Sequence, residues 1–169
     1  MTVSIRDACM SDMSAVLEIF NEEIMNSTVL YVSTPHTLAM REAWFQERIK
    51  DGYPVIVAVE NNVVVAFGSY GSFRAGYKYT VEHSVYIHKD HRGKGIAKLI
   101  MDWLIQHARK HDFHVMIGAI DTENKVSIAM HKKYGFVEVG LMKQLGYKFG
   151  RWLDVCFMQL TFETPLNPE

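Results

Sequence analysis

A glycine-rich segment near the middle of the chain has the composition of an anion-binding loop. It reads His-Arg-Gly-Lys-Gly-Ile-Ala over residues 91–97 and joins a β-branched run to a long amphipathic stretch. Gly93 and Gly95 lack a Cβ, so successive backbone N–H groups can point into one concavity, and the start of the following helix adds positive charge. The spacing matches neither a Walker loop nor the Gly-x-Gly-x-x-Gly dinucleotide motif. It therefore predicts an anion site of another kind.

One carboxylate, Glu82, interrupts the apolar strand pattern over residues 80–87. A charge in the middle of such a strand is costly unless it has a partner or a chemical task. Glu82 is therefore a candidate site residue. The alternative is a structural ion pair with His83, Lys78 or Arg74.

The elements that would carry these residues alternate between helices and strands. Helical spacing of apolar residues marks four segments, residues 13–24, 37–51, 96–107 and 124–133. Strand patterns mark seven others, residues 3–6, 55–60, 63–73, 80–87, 115–120, 136–146 and 152–160, and Asn61-Asn62 is typical of a two-residue hairpin turn. This order predicts a single α/β domain with a mixed, mostly antiparallel central sheet and helices on both faces.

Local details are also predicted for the N-terminal half. Ser11 is expected to cap the first helix. The inner face of the second helix is expected to carry Leu38, Phe45 and Ile49, with Gly52 just past its C-terminus.

Composition and charge exclude several functions. The 169 residues include 18 Lys and Arg against 19 Asp and Glu, a net charge of −1, so a nucleic-acid partner is not expected. No apolar run approaches the roughly 20 residues that cross a bilayer, so no membrane partner is expected. The N-terminal segment lacks a secretory pattern, so we expect a cytoplasmic protein. Residues 164–169, with two prolines, are expected to be a frayed tail.

Cysteine and histidine usage gives no sign of a metal site. Cys9 and Cys156 lie among apolar or strand-like neighbours and are expected to be buried thiols. His83, His88 and His91 are close in sequence but lack a metal-binding spacing, so no metal is expected.

Two segments resemble the GNAT superfamily of N-acetyltransferases. Arg92-x-x-Gly95-x-Ala97, after a strand with Val85-Tyr86-Ile87, is similar to that family's acyl-CoA signature, and residues 124–136 are similar to its second coenzyme-contacting region. The resemblance covers about residues 55–160 and implies the GNAT fold, with acetyl-CoA as co-substrate. It implies these coenzyme contacts: Val85, Tyr86, Ile87, Arg92, Gly93, Lys94, Gly95, Ile96, Ala97, Lys98 and Asn124.

The resemblance also implies roles in amide formation from a thioester. This reaction needs a neutral amine, stabilisation of an oxyanion and a proton for the departing thiolate. Glu82 would be the general base, acting directly or through a water. A backbone N–H in residues 85–87 would stabilise the oxyanion if this strand parts from its neighbour. Many family members carry a Tyr proton donor seven residues after the Asn, where this chain has His131; Tyr134 is out of phase. His131 would be the general acid, and the alternative is a helix-surface histidine without a catalytic role.

Further segments resemble the phosphinothricin and methionine sulfoximine acetyltransferase branch of the superfamily. They are residues 70–74, 79–86 and 148–154, together with His131. The branch implies acetylation of the α-amine of a small amino acid or analogue, with Arg74 holding the substrate carboxylate. The alternative for Arg74 is a solvent-facing loop arginine. The expected substrate site comprises Phe73, Arg74, Glu82, His83 and Ser84.

Two other functions remain open at this stage, and so does the oligomeric state. One is acetylation of a protein N-terminus or lysine by the same fold, and the other is a non-catalytic acyl-CoA-binding regulatory module. Exposed strand edges and the aromatic C-terminal segment favour a homodimer.

Overall fold

The computed structural model describes residues 3–164, so most of the predicted frayed tail, residues 165–169, lies outside the described residues. The strands are β1 Ser4–Asp7, β2 Val55–Glu60, β3 Val63–Ser72, β4 Thr80–Ile87, β5 Val115–Asp121, β6 Val137–Lys148 and β7 Arg151–Thr161. The helices are α1 Met13–Asn26, α2 Leu38–Lys50, α3 Ile96–Lys110 and α4 Lys125–Lys133. Every predicted helix and strand is present within a few residues of its expected bounds.

The strands form one seven-stranded sheet in the order β1-β2-β3-β4-β5-β7-β6. Only β4 and β5 run parallel, and the other neighbouring pairs are antiparallel. Asn61 and Asn62 both have positive φ, 51° and 64°, which is the geometry of the predicted hairpin turn. The predicted mixed, mostly antiparallel α/β architecture is confirmed.

Helices cover both faces of this sheet. On one face, α1 and α2 pack against β2, β3 and β4 through a cluster that includes Phe20, Phe45, Phe67 and Tyr86. On the other face, the apolar stripe of α3 packs on the same strands and on β5 and β7. Two cores are thus separated by one sheet, and β4 contributes side chains to both.

The first helix begins differently from the prediction. Ser11 lies inside a 3-10 turn, Met10–Asp12, and α1 starts at Met13. The carboxylate of Asp12 accepts the N–H of Cys9 and binds Arg6 at 2.7 Å, which fixes the turn in place of a serine cap. The expectation for Cys9 was wrong: its thiol is exposed because this turn holds it at the surface, whereas Cys156 is buried as expected.

The inner face of α2 was also predicted wrongly. Phe45 is buried, but Leu38 and Ile49 are exposed. Arg41, only 3% exposed, takes the inner position with its guanidinium 3.7 Å from the centre of the Phe20 ring. Positions 41, 45 and 48 lie on one helical stripe, so α2 turns two arginines towards the sheet.

The C-terminal hairpin forms an apolar edge of the sheet. Strand β6 is the last in the sheet order, and most of its length is exposed. Within residues 3–164, no helix combines the length and the apolar character needed to span a bilayer.

Candidate active site

The glycine-rich loop forms the expected concave turn. Gly93 and Gly95 have φ values of 76° and 80°, in the left-handed region that residues with a Cβ rarely adopt. Gly95 is the N-cap of α3, which begins at Ile96. The first N–H groups of a helix have no partner within it, so those at Ile96 and Ala97 are directed towards the space in front of the loop. This segment can bind a diphosphate through its backbone.

Two buried carboxylates that the sequence reasoning did not identify brace this loop. Glu23, on α1 and only 6% exposed, binds the guanidinium of Arg92 at 2.5 Å. Glu60, at the end of β2 and 8% exposed, lies 2.8 Å from Nδ1 of His91. Glu23 could have been suspected, because it follows Phe20 by one helical turn on the inner side of α1. Arg92 is therefore fixed from inside the protein.

Strands β4 and β5 part after Glu82 and Ile117. Their pairing runs from Thr80 opposite Val115 to Glu82 opposite Ile117, which is the last pair in the register. Beyond it, β5 continues to pair with β7 while β4 continues to pair with β3. The two strands therefore enclose a gap that opens towards their C-terminal ends, next to the glycine-rich loop.

Hydrogen bonds at the start of β4 show which of its backbone groups face this gap. The carbonyl of Tyr79 accepts the N–H of His114 at 2.8 Å, on the β5 side, and the carbonyl of Thr80 accepts the N–H of Phe73 at 3.2 Å, on the β3 side. Successive residues of a strand alternate in direction, so odd-numbered positions of β4 face β5. Past the last pair, the backbone groups of Val85 and Ile87 consequently face the gap.

A pair of histidines closes the narrow end of the gap. Nε2 of His131, on α4, lies 2.9 Å from Nε2 of His83, on β4, and the rings are stacked. The next residue of β5 after the last pair is Gly118, where a Cβ would lie 3.0 Å from His131 Nε2 and 3.1 Å from His83 Nε2. A glycine at this position is what allows both rings to fit.

The hydrogen bonds of this pair define its protons. Nδ1 of His131 lies 2.7 Å from the carbonyl oxygen of Ser127, which can only accept, so Nδ1 carries a proton. Burial lowers the pKa of His131 and lowers the pKa of His83 to about 3, so both rings are neutral near pH 7. His83 then donates from Nε2 to His131, and its buried Nδ1 is left without a hydrogen-bond partner among the described residues.

The structure excludes the alternative of a surface histidine at position 131, and it places the predicted site residues His83 and Glu82 on opposite sides of β4. His131 is 2% exposed, so it is not a surface histidine of α4. His83 contacts His131 and Phe136, on the α4 side, while Glu82 lies on the α2 side of the strand. His83 is thus not brought together with Arg74.

The charges of two arginines act on Glu82. Burial raises the pKa of Glu82, and the positive charges of Arg48 and then Arg74 oppose this rise. Arg48, on α2, was not singled out from the sequence, because a single arginine on a helix gives no signal of what it packs against. Arg74, in the β3–β4 connection, is exposed, with its guanidinium 5.2 Å from the centre of the Phe73 ring.

The remaining predicted residues have identifiable contacts. Asn124 caps α4, with its side chain accepting the N–H of Ser127. Tyr86, which was expected to contact the coenzyme, does not face the gap: its side chain is buried against Phe20 and Phe67, and its backbone pairs with β3. Lys98 pairs with Asp102 at 2.8 Å.

Tyr134, the out-of-phase tyrosine, is already engaged elsewhere. Its hydroxyl donates to the Asp102 carboxylate at 2.8 Å, and burial raises its pKa. Within the described part of the chain, no group of three or more His, Cys, Asp and Glu side chains converges as a metal site would.

The comparisons with known proteins agree with this geometry. The model of the acetyltransferase (GNAT) family matches residues 16–136. An L-methionine sulfoximine/L-methionine sulfone acetyltransferase of Pseudomonas paraeruginosa is 45% identical over 166 residues, covering 96% of each chain. A phosphinothricin N-acetyltransferase of Streptomyces viridochromogenes is 34% identical over 170 residues, covering 98% of this chain and 91% of its own.

A solved structure extends the likeness to the whole fold. A protein of Salmonella typhimurium, solved with its cofactor acetyl-CoA, superposes with a TM-score of 0.96 at 39% identity, and the match covers 100% of this chain and 99% of the other. The glycine-rich loop, the parted strands and these relatives lead to one conclusion: the chain belongs to the GNAT family of acetyltransferases.

Proposed function

We propose that this protein transfers the acetyl group of acetyl-CoA directly to the α-amine of a small amino acid or analogue, of the methionine sulfoximine, methionine sulfone or phosphinothricin type, in the cytoplasm. The observation that carries the proposal is a half-buried carboxylate, Glu82, beside the gap in the sheet and within the electrostatic influence of Arg48 and Arg74. An α-amino acid presents an amine and a carboxylate close together, which such a site complements. The names of the relatives above support this substrate class.

In this proposal each part of the site has one task. The backbone of residues 92–97 and the start of α3 hold the diphosphate of the coenzyme, with Lys94, Lys98 and Asn124 nearby. The backbone of Val85 and Ile87 lines the path of the thioester, and the N–H of Val85 stabilises the oxyanion. Glu82 takes the proton from the amine, and Arg74 binds the substrate carboxylate, with Phe73 and Ser84 lining the pocket.

His131 has the proposed task of passing a proton to the departing thiolate. In the resting protein its Nε2 accepts a hydrogen bond, so the ring needs a proton first. That proton would have to come from solvent, and it would enter at the unpartnered Nδ1 of His83 while the shared proton moves to His131 and on to the thiolate.

Replacing His131 with glutamine is expected to lower kcat about tenfold and to leave the Kd for acetyl-CoA unchanged. Glutamine can keep a hydrogen bond to His83 but cannot act as a proton donor to the thiolate. The expected loss is small because a thiolate leaves readily, since a thiol has a pKa of about 8.5. Steady-state kinetics and calorimetry measure the two quantities. A kcat equal to that of the unaltered protein would remove His131 from the proton path.

The proposed function is tested by a panel of amines with acetyl-CoA, scored by thiol release and product mass. Methionine sulfoximine, methionine sulfone and phosphinothricin should react, while peptides with free N-termini or lysines should not. Turnover of peptides alone would favour protein acetylation. Binding of acetyl-CoA without turnover of any amine would indicate a non-catalytic binding module.

We also propose that the protein is a homodimer through the hairpin of β6 and β7. An unpaired, long and apolar edge strand is unusual in a monomer, because it invites pairing with another chain. A second copy of the same surface satisfies it through a two-fold interface. The exposed apolar residues of this hairpin are Val137, Val139, Leu141, Met142, Leu145, Tyr147, Phe149 and Trp152.

Size-exclusion chromatography with light scattering is expected to give about twice the 19.4 kDa chain mass for the unaltered protein. The Leu141→Glu variant is expected to be monomeric, because a carboxylate in an apolar interface is costly. Ile49→Glu, a similarly exposed apolar position on α2, serves as the control and should remain dimeric. A monomeric unaltered protein would contradict the proposal.

A further inference from the structure

We propose that Arg48 is a positioning residue for the reaction, seated over Gly71 so that its positive charge keeps Glu82 ionised. The proposal rests on the proposed role of Glu82 as the base, and it assigns to α2 a function that neither the family match nor the relatives' names describe.

The register of the sheet brings Arg48 to Glu82. Gly71 of β3 lies directly opposite Glu82 of β4. Residues opposite each other in an antiparallel pair direct their side chains to the same face, with Cβ atoms about 5 Å apart. The guanidinium of Arg48 occupies the space that a Cβ at Gly71 would fill, with Nη1 as the nearest atom. The Arg48 guanidinium therefore lies on the same face of the sheet as the Glu82 side chain, over the strand position directly opposite it.

The Arg48 guanidinium can occupy this position because residue 71 is a glycine. Any larger residue would overlap the guanidinium, which would then have to lift away from the sheet. The ring of Tyr53 lies 5.9 Å from the guanidinium carbon and supports it from another side. Nε of Arg48 is buried and has no hydrogen-bond partner among the described residues. A hydrogen bond from Nε therefore does not hold the guanidinium over Gly71.

The charges around Glu82 explain why the base needs this neighbour. A base must be ionised to accept a proton, and burial of Glu82 favours the neutral acid instead. The ionisable groups that act on it include Arg48 from α2, Arg74 from the β3–β4 connection and Tyr86 from its own strand. Burial raises the pKa of Tyr86 to about 12, so this group is neutral at working pH.

Of the two cations, Arg48 has the stronger influence. Arg74 is exposed, so water and salt screen its charge, and in the proposed function it is occupied by the substrate carboxylate. Arg48 is half-buried, so water and salt screen its charge less than that of Arg74. Arg48 thus supports the ionised form of Glu82 before and after substrate binds, without touching the substrate.

The test measures the titration of Glu82 directly, by NMR of protein labelled with ¹³C at the glutamate carboxyl, with Glu82→Gln used to assign the signal. The Arg48→Met variant is expected to move this titration to higher pH by about one unit, since an adjacent opposite charge is removed. The acid limb of kcat/KM should move by the same amount. Arg48→Lys, which keeps the charge, should move both by much less.

Gly71→Ala provides a second variant in which Arg48 itself is unaltered. Its methyl group meets only the end of a flexible side chain, so the fold should tolerate it, and the displaced guanidinium should give a smaller shift in the same direction. Lys50→Met, which removes an exposed charge from the same helix, is the control and should leave the titration in place.

An unmoved Glu82 titration in both Arg48→Met and Gly71→Ala would overturn the proposal. A rise in KM for amino acids without any shift of the acid limb would do so as well, because it would make Arg48 a substrate contact. The NMR titration needs no turnover. It therefore remains informative if no amine is acetylated, an outcome that would count against the proposed function alone.

Discussion

Glu82→Gln is expected to lower kcat by roughly two to four orders of magnitude while leaving the Kd for acetyl-CoA unchanged. Glutamine has nearly the same shape but cannot take a proton from the amine. Glu82 also lies on the opposite side of β4 from the His83–His131 pair that closes the gap, so the coenzyme path should be unaffected. Single-turnover kinetics with saturating acetyl-CoA, together with calorimetry, separate the chemical step from binding.

The pH dependence gives the same prediction a second readout. Activity requires ionised Glu82, so kcat/KM falls as the pH drops through the pKa of this carboxyl. Burial raises that pKa, so in the unaltered protein the fall should begin at a higher pH than for an exposed glutamate. The acid limb should be missing from the residual activity of Glu82→Gln. Glu138→Gln, at an exposed carboxylate on β6, is the matched control and should behave as the unaltered protein. A variant at position 82 with full turnover would rule out its role as base.

Arg74→Ala is expected to lower kcat/KM for α-amino acids by about ten- to a hundredfold, mainly through a higher KM. A guanidinium can bind a carboxylate with two parallel hydrogen bonds, and hydrogen bonds to charged groups contribute about 1.5–3 kcal/mol each. The corresponding amines without a carboxylate should be affected little. Arg74→Lys should fall between the two, because lysine keeps the charge but not the fork.

The comparison between the two classes of amine decides whether Arg74 belongs to the pocket. An equal loss for substrates with and without a carboxylate would show that the substitution acts through the fold of the β3–β4 connection. Arg109→Ala controls for the loss of one positive charge. Arg109 lies in the last turn of α3, with its guanidinium over the Phe162 ring.

Much of the fold could be predicted from the chain because its signals are local. Apolar spacing gave the helices and strands, and paired residues such as Asn61-Asn62 gave the turns. The glycine-rich loop was predictable for the same reason: a left-handed backbone at Gly93 and Gly95 and the helix that follows are encoded within seven consecutive residues. Glu82 stood out because its charge contradicts the pattern of its own strand.

The wrong predictions share a physical cause: the periodic spacing of apolar residues does not show what a helix or strand packs against. The inner face of α2 was predicted to include Leu38 and Ile49. Arg41 and Arg48 face inwards instead, because the guanidinium of Arg41 packs over the Phe20 ring and that of Arg48 fits over Gly71. A long, charged side chain can cover apolar surface or a glycine as well as an aliphatic one can. Nothing near position 41 in the chain reveals this.

The amino-acid sequence by itself determined the order of the elements, the anion-binding loop and the isolated carboxylate of β4, since each depends on residues that are neighbours in the chain. Only the tertiary structure decided which distant groups meet: His83 with His131 across 48 positions, and Arg92 with Glu23 across 69. Strand pairing and helix packing set these distances, and a short stretch of sequence contains no information about either. For this reason the proton chemistry of the histidine pair and the charge beside Glu82 became visible only once the sheet was assembled.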